Sequence, residues 1–192
     1  MAGRFVVSTG ATSGAHRALK GPSFGGWAFI ALCVWPIKTV AAQGGAVVAV
    51  GRYHTCFGDV GQGRCWGGFN TVGNNFGQLG DGSTLGIGNA PNQMTTIGPI
   101  PFQPTLGQVV SVAAGFAHSC ALFSTGWVVC FGRNNKGNLG LDDSNNAGCG
   151  GTCLAMSTLS GIAFDTPTIT VTAITGGIQH TCALFINGRV RW

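Results

Sequence analysis

Short apolar runs separated by glycine-containing turns dominate the chain after residue 43. The segments "SCALF" and "WVVCFG" are rich in β-prone residues and flank the turn "STG", which ends at Gly126. The segments "TCALF" and "RVRW" flank "ING" in the same way, and Asn-Gly is a strong hairpin signal. The runs "GQVVSVAAG" and "TPTITVTAITGG" precede these hairpins and supply one further strand each. The pattern predicts antiparallel hairpins.

The composition strengthens this all-β assignment. Of the 192 residues, 34 are Gly and only 8% are charged. Amphipathic helices need polar faces and avoid Gly, whereas a hydrophobic content of 45% suits a packed core and argues against disorder. We therefore expect one all-β domain of ordinary size.

The net charge of +5 is concentrated at the N-terminus. Residues 1–42 contain four bases and no acid, whereas six bases and five acids follow from Gln43 onward. A near-neutral body lacks the basic cluster that neutralises nucleic-acid phosphates. We expect no nucleic-acid partner.

Residues 1–42 have the order of a targeting segment. A basic lead precedes the apolar run "GGWAFIALCVWPI", and Val40 and Ala42 are spaced for cleavage after Ala42. The run is shorter than the about 20 residues of a membrane span. We predict a signal peptide and a secreted or cell-surface product. An uncleaved membrane anchor, an organelle transit peptide and a wrongly assigned start are the alternatives, and membrane contact is expected only through this segment.

Three segments repeat one pattern at intervals of about 60 residues: "VAVGRYHTCFGDVGQGRCWG", "VAAGFAHSCALFSTGWVVCFG" and "AITGGIQHTCALFINGRVRW". The first two are followed by "NNFGQLGDGS" and "NNKGNLGLDDS". A period of this size in a Gly-rich β chain indicates propeller blades or a solenoid. The repeated positions are Gly51, His54, Gly115, His118, Gly177 and His180, then Asn74, Gly77, Leu79, Gly80, Asn134, Gly137, Leu139 and Gly140.

The repeats resemble those of the regulator of chromosome condensation repeat family. The resemblance rests on Gly-x-x-His-(Ser/Thr)-Cys-Ala-Leu, a hairpin Gly, Cys-(Trp/Phe)-Gly and Asn-x-x-Gly-(Gln/Asn)-Leu-Gly, from about residue 46 to 192. It implies a seven-bladed β-propeller. Residues 43–192 would supply two blades plus the first hairpin of a third, so we expect a partial β-propeller that is a fragment or assembles with further blades. Open sheet edges predict weak autonomous folding.

Seven cysteines follow the predicted leader, and in an oxidising compartment they pair. Residues that face each other across a hairpin lie at a distance that suits a disulfide. The hairpins and the short loop "CGGTC" predict the bonds Cys56–Cys65, Cys120–Cys130 and Cys149–Cys153. Cys182 is left over, and by spacing its hairpin partner position is held by Trp192.

No catalytic, cofactor or metal site is expected. The His and Cys pairs lie in separate blades, whereas zinc needs four converging ligands, and the "DGS" and "DDS" turns have too few carboxylates for a calcium loop. A His repeated in every copy indicates a structural role, in which its ring bonds a neighbouring backbone group. Glu is absent, and no nucleophile motif or phosphate-binding loop stands out.

The sequence therefore predicts a non-catalytic protein-binding module. The long loops after Asn70 and after Asp142 are the expected recognition sites. Two alternatives stay open. One is guanine-nucleotide exchange on a small GTPase, which the resemblance implies, and the other is a repeat region attached to an enzyme.

Overall fold

The computed structural model describes residues 39–41, 46–59, 61–68, 76–151, 153–162, 164 and 170–192. The chain divides into two compact units, Met1–Ile30 and Ala31–Trp192, and every described residue belongs to the second. Of the predicted targeting segment, only Thr39–Ala41 is described. Asn74 and the start of the first long loop also lie outside the described residues.

The described residues form short strands and three single-turn 3₁₀ helices, as the Gly-rich apolar pattern predicts. The 3₁₀ helices span Gln93–Thr96, Pro104–Leu106 and Met156–Thr158. The strands are β1 (Thr39–Ala41), β2 (Val47–Val50), β3 (His54–Asp59), β4 (Gln62–Gly67), β5 (Val109–Ala114), β6 (His118–Phe123), β7 (Val128–Gly132), β8 (Val171–Gly176), β9 (Thr181–Phe185) and β10 (Val190–Arg191).

The strands pair into three antiparallel sheets, one for each copy of the repeat. The first sheet has the order β1-β2-β3-β4, the second β5-β6-β7 and the third β8-β9-β10. The hairpins β6–β7 and β9–β10 are those that the turn residues predict, and β3–β4 is the hairpin in which Cys56 and Cys65 were expected to face each other. The strand β1 lies on the N-terminal side of the predicted boundary at residue 42, so cleavage after Ala42 would remove one edge strand from the first sheet.

The three sheets stack face to face in chain order. Strands β2 and β3 contact β5, and β5 and β6 contact β8. Every residue of β6 and β7 is buried, whereas burial alternates along β3 and β9. Because side chains alternate between the two faces of a strand, the second sheet is covered on both faces and each outer sheet on one. This is the partial β-propeller that the sequence predicts.

After each of the first two hairpins the chain returns to extend the sheet by a single bridge. Gly67 exchanges backbone hydrogen bonds of 2.7 and 2.9 Å with Ile87, and Gly132 exchanges bonds of 2.8 and 3.1 Å with Ala147. The same closing contact is therefore present in both copies.

A second repeated element fills the seams between sheets. The segments "GPIPF" and "SGIAF" each place a Phe against the following sheet. Phe102 packs edge-on against Phe123, and Phe164 packs edge-on against Phe185, with ring centroids 5.0 Å apart in both pairs. These edge-to-face contacts are the favoured aromatic geometry and add to the apolar core.

Candidate protein-binding site at the Gly-x-x-His turns

The Gly-x-x-His turns (residues 51–54, 115–118 and 177–180) have one common conformation. In each, the Gly amide donates to the carbonyl of the His, at 2.9, 2.8 and 2.7 Å. The imidazole ring folds back over the Gly, and a Cβ added at Gly51, Gly115 or Gly177 would lie closer to the ring than van der Waals contact permits. The turn therefore requires Gly three residues before His, which explains the spacing of the repeat.

The histidine side chains join one sheet to the next. His54 Nε2 lies 2.8 Å from Ser119 Oγ, and the Ser119 hydroxyl donates to the Gln78 carbonyl at 2.8 Å. Because Ser119 has one proton and gives it to Gln78, His54 Nε2 must carry the hydrogen. In the next interface His118 Nε2 lies 3.0 Å from Thr181 Oγ1. We expected each ring to bond a neighbouring backbone group. In the structure the Nε2 partner of His54 and of His118 is a hydroxyl side chain of the following sheet, while a backbone group of His118 or His180 also contributes to the pKa of these two rings.

Burial keeps His54 and His118 neutral. Both side chains are almost fully buried, and their Nδ1 atoms have no hydrogen-bond partner among the described residues. Burial lowers the pKa of His54 to about 4, assisted by the charge of His118 and opposed by the His118 backbone. Burial also lowers the pKa of His118 to about 4, while the His180 backbone raises it and the His180 charge lowers it. Such groups serve as fixed hydrogen-bonding groups and are poorly placed for proton transfer to a ligand.

In each of the three cysteine pairs that the sequence predicts, the two sulfur atoms lie next to each other. Two pairs stand directly opposite each other across the β3–β4 and β6–β7 hairpins, with Cα atoms 4.1 and 4.0 Å apart. In the third hairpin Arg191 stands opposite Ala183, so the register places Trp192 opposite Cys182. Oxidation of the pairs stays a prediction for chemical mapping.

The described parts of the two Asn-x-x-Gly-x-Leu-Gly turns share their burial and backbone conformation. Leu79 and Leu139 are buried. The glycines flanking each Leu have φ between 64° and 91°, a region that favours Gly: Gly77, Gly80, Gly137 and Gly140.

Asn134 anchors the second of these turns. It is fully buried, its Nδ2 donates to the backbone carbonyl and to the Oδ1 of Asp143, and its Oδ1 accepts from the Leu139 amide at 2.9 Å. Its role is structural, because every polar atom of its amide is used within the loop.

An exposed patch, here called the turn rim (Arg52, Tyr53, Phe116 and Ile178), runs along the same end of all three sheets. The Arg52 guanidinium carbon lies 4.9 Å from the Tyr53 ring centroid and 4.6 Å from that of Phe116. Tyr53 and Phe116 pack edge to face at 5.9 Å. Tyr53 is 40% exposed and Ile178 is 49% exposed. The rim thus presents aromatic, aliphatic and cationic groups side by side.

Backbone hydrogen bonds hold the turn rim in register. The Arg52 amide donates to the Gly115 carbonyl at 3.2 Å, and the Phe116 amide donates to the Ile178 carbonyl at 3.3 Å. A second cation packs nearby, since Arg133 lies 4.7 Å from the Phe76 ring centroid and its amide donates to the Ala117 carbonyl. Beyond the third turn lies a cleft of about 410 Å³, whose lining includes Lys136, His180 and Trp192.

The turn rim is a site that sequence reasoning missed. We expected recognition by the long loops, and their described parts do expose Leu85, Met94 and Leu154. The hydroxyl residues Ser119 and Thr181 were seen in the repeat, but no role was assigned to them. Their position directly after His could have indicated the role, because neighbouring side chains in a strand point to opposite faces of the sheet.

Metal and membrane features are not found in the described part of the chain. No group of three or more His, Cys, Asp or Glu residues there is arranged to hold a metal ion. Among the same residues there is no helix with the length and apolar character that a membrane crossing requires.

The family profile of the regulator of chromosome condensation (RCC1) repeat matches residues 109–138. This span runs from β5 through β7 to the turn that contains Asn134. The chain carries RCC1 repeats. The resemblance predicted from the three Gly-x-x-His turns is confirmed.

Relatives with RCC1-type similarity include much longer proteins. The chain is 36% identical over 100 residues to the probable E3 ubiquitin-protein ligase HERC4 of Homo sapiens, covering 52% of this chain and 8% of HERC4. The HERC4 proteins of Rattus norvegicus and Mus musculus match to the same extent. The chain therefore spans less than a tenth of the length of these relatives, and the match reports on the repeats.

Solved structures share the fold. The crystal structure of Prp20p from Saccharomyces cerevisiae, described together with its binding properties to Gsp1p and histones, has 26% identity and a TM-score of 0.50, and the match covers 74% of this chain and 31% of Prp20p. Human WBSCR16 has 23% identity and a TM-score of 0.50, with coverage of 76% and 33%. The RCC1 repeats of this chain thus match about a third of each of these structures.

Proposed function

We propose that the chain is a non-catalytic protein-binding module, secreted or displayed at the cell surface, that engages a protein partner through the turn rim. The observation that carries the proposal is the exposed stack of Arg52 with Tyr53 and Phe116, next to Ile178. Arg and Tyr dominate the binding energy of protein interfaces, and a cation held over aromatic rings is preorganised for an acceptor on the partner.

The two buried histidines support a scaffold role. They stabilise sheet contacts and their pKa of about 4 suits neutral hydrogen-bond donors. Prp20p, which shares this fold, has binding properties to Gsp1p and histones, and this supports a protein partner.

The compartment is the second part of the proposal. Its support is the order of residues 1–42 and the three cysteine pairs, which form in oxidising compartments. The test is mass mapping of the protein recovered from culture medium and from the cell. We expect three intact bonds and a mature chain that starts near residue 43. A reduced protein retained in the cytosol or nucleus would overturn secretion.

Site-specific photo-crosslinking tests the rim. A benzophenone amino acid at Ile178 reports on the rim, and the same group at Ile186 is a matched control at the opposite end of the third sheet, where Ile186 is 72% exposed. We expect a discrete adduct with a protein from position 178, absent from position 186 and lost when Arg52→Ala is added. Equal adducts from both positions, or none from 178, would overturn the assignment of the rim.

Two other functions have specific support. The likeness to Prp20p favours nucleotide exchange on a small GTPase, which is tested by release of a fluorescent guanine nucleotide from the GTPase in the presence of the purified chain. The likeness to HERC4 favours a repeat region of a larger enzyme, which is tested by the coding sequence that surrounds this chain in the genome.

A further inference from the structure

Two arginine side chains lie against aromatic rings at the contact between the first and second sheets. The Arg52 guanidinium stacks on Phe116, which belongs to the following repeat, and on its neighbour Tyr53. The Arg133 guanidinium stacks on Phe76, which belongs to the preceding repeat. Each stack therefore joins one repeat to the other, with residues of this chain on either side. We call these two side chains the arginine pair.

A single turn fixes the backbone of both arginines. The Arg52 amide donates to the Gly115 carbonyl at 3.2 Å, and the Arg133 amide donates to the Ala117 carbonyl at 2.8 Å. Gly115 and Ala117 flank Phe116 in one Gly-x-x-His turn, so both arginines are attached to the same short segment. The aromatic rings also restrict the two guanidinium groups, so both cations are held beside this turn before any ligand binds.

The charge of the arginine pair is not neutralised within the described part of the chain. Arg52 is exposed and Arg133 is half-buried, and neither forms an ion pair with a described carboxylate. The carboxylates of Asp81 and Asp143 are hydrogen-bonded within their own loops. A guanidinium that stacks on a ring still presents the N–H groups at its edge, which can donate two parallel hydrogen bonds to a carboxylate. Charge complementarity therefore favours an acidic ligand.

We propose that the arginine pair binds an acidic segment of a protein partner, with Asp or Glu carboxylates on Arg52 and Arg133, a step that rests on the proposed function because it names the chemistry of the partner. Tyr53 is 40% exposed and offers apolar contact to the side chains that flank these carboxylates. A long polyanion fits the surface less well. From Gln43 onward the chain has six bases and five acids, and it lacks the row of cations that nucleic acids require.

Fluorescence anisotropy with the purified full-length chain tests the proposal. The probe is a short labelled peptide in which Asp alternates with Ser, and the control peptide has Asn in place of every Asp. We expect saturable binding of the Asp peptide at low salt and at least tenfold weaker binding of the Asn peptide. Added salt should weaken the binding of the Asp peptide, because exposed charges are screened.

Substitutions of single arginines assign the binding to the arginine pair. Arg52→Gln and Arg133→Gln each remove one cation, and each is expected to weaken binding of the Asp peptide at least fivefold. Arg189→Gln is the matched control, because it makes the same change in charge at an exposed turn at the opposite end of the third sheet, and it should leave the affinity unchanged. Arg52→Lys keeps the charge but loses the paired N–H groups, so its affinity should lie between those of the wild type and Arg52→Gln.

Several results would overturn the proposal. They are equal binding of the Asp and Asn peptides, binding that both Gln variants of the arginine pair leave intact, and a loss in Arg189→Gln as large as that in Arg52→Gln. A heparin oligosaccharide or a single-stranded DNA that binds tenfold tighter than the Asp peptide through the same two arginines would replace the acidic peptide by a polyanion. Circular dichroism checks that each variant is folded. If Arg133→Gln unfolds, Arg133→Lys replaces it with the same expected direction.

Crosslinking from position 178 separates the failure of this proposal from the failure of the proposed function. A protein adduct from position 178, together with an Asp peptide that neither binds nor competes with that protein, would keep the turn rim as the binding site and overturn its acidic ligand. Loss of both the adduct and the peptide binding would overturn both proposals. Peptide binding through the arginine pair without an adduct would support the acidic ligand and overturn only the function proposed for the rim.

Discussion

Removal of one hydroxyl should uncouple the first sheet from the second. Ser119 is 1% exposed and its Oγ lies within 3.3 Å of three groups in the first repeat: His54 Nε2, the Gln78 carbonyl and Cys56 Sγ. Ser119→Ala replaces the hydrogen-bond acceptor of His54 by hydrogen atoms of a methyl group. It also removes the proton that Gln78 accepts.

The expected loss of stability follows from these two bonds. A buried donor or acceptor that loses its partner costs about 1–3 kcal/mol. The His54 ring is buried and cannot turn to water, because its Nδ1 side packs on Gly51. We therefore expect the free energy of unfolding to fall by about 2–5 kcal/mol.

Chemical denaturation of the full chain measures this loss, and two variants calibrate it. Ser124→Ala also removes a serine that accepts one backbone hydrogen bond, but at an exposed turn, so a change below about 1 kcal/mol is expected. Ser119→Thr keeps the hydroxyl and mimics Thr181 in the next interface. It should retain most of the stability. Equal losses in Ser119→Ala and Ser124→Ala would refute the role of the hydroxyl as the polar anchor of the interface.

Three further predictions follow from the same geometry. The pKa of His54 and of His118 is about 4 in the folded chain and 6.5 in the unfolded chain, so the unfolded chain binds more protons between these two pH values. The free energy of unfolding is therefore highest above pH 6.5 and falls as the pH drops to 4, by roughly 3 kcal/mol per histidine. Denaturant titrations at pH 7.5 and 4.5 measure this loss. Gly115→Ala drives a methyl group into the His118 ring and should lower the melting temperature by more than 5 °C, from a loss of about 2 kcal/mol or more. Reduction of the pair Cys120 and Cys130 opens a loop of ten residues and should cost about 2–3 kcal/mol in a denaturant titration with and without reductant.

Each of these predictions has a matched control. A His54→Gln variant should flatten part of the pH dependence, and an unchanged slope would contradict the assignment of that slope to the buried ring. Gly98→Ala changes a Gly that, like Gly115, has no positive φ but lies in open space, so it should cost less than Gly115→Ala; equal costs would contradict the assignment of the loss to the clash with the His118 ring. The double variant Cys120→Ala/Cys130→Ala keeps the pairs Cys56–Cys65 and Cys149–Cys153, so the loss that reductant causes should be smaller than in the wild type, and the difference between the two losses is the contribution of Cys120–Cys130. Sensitivity equal to that of the wild type would place the effect elsewhere.

The strands and hairpins were predictable because their signals are local. Asn187-Gly188 and the "STG" turn fix where β9–β10 and β6–β7 reverse, and the apolar runs fix the strand lengths. The cross-strand cysteines follow from the same register. The burial of β6 on both faces could also be predicted from the sequence, because "HSCALF" does not alternate between apolar and charged or strongly polar residues.

Contacts between repeats were not predictable in the same way. Which hydroxyl contacts His54 depends on the orientation of one sheet relative to the next. The pattern of residues along one strand does not determine that orientation. The cation stack of Arg52 is a second example, because Tyr53 is its neighbour in sequence but Phe116 belongs to the next repeat. The seam residues Phe102 and Phe164 went unnoticed because the loops before them differ in length, which hides the repeat.

In the repeat pattern Gly-x-x-His-(Ser/Thr), the His contacts the following sheet and the Ser or Thr contacts the preceding sheet. Each contact between sheets therefore combines the His of one repeat with the hydroxyl of the next repeat. Gly makes room for the ring, the ring forms a hydrogen bond with the following sheet, and the hydroxyl next in sequence forms one with the preceding sheet. Adjacent residues of a strand point to opposite faces, so a dipeptide is the shortest unit that can serve both neighbours at once. Loss of the hydroxyl in one repeat therefore damages the contact with the preceding sheet and spares the following one. This asymmetry gives the sheets a fixed direction of stacking within the chain.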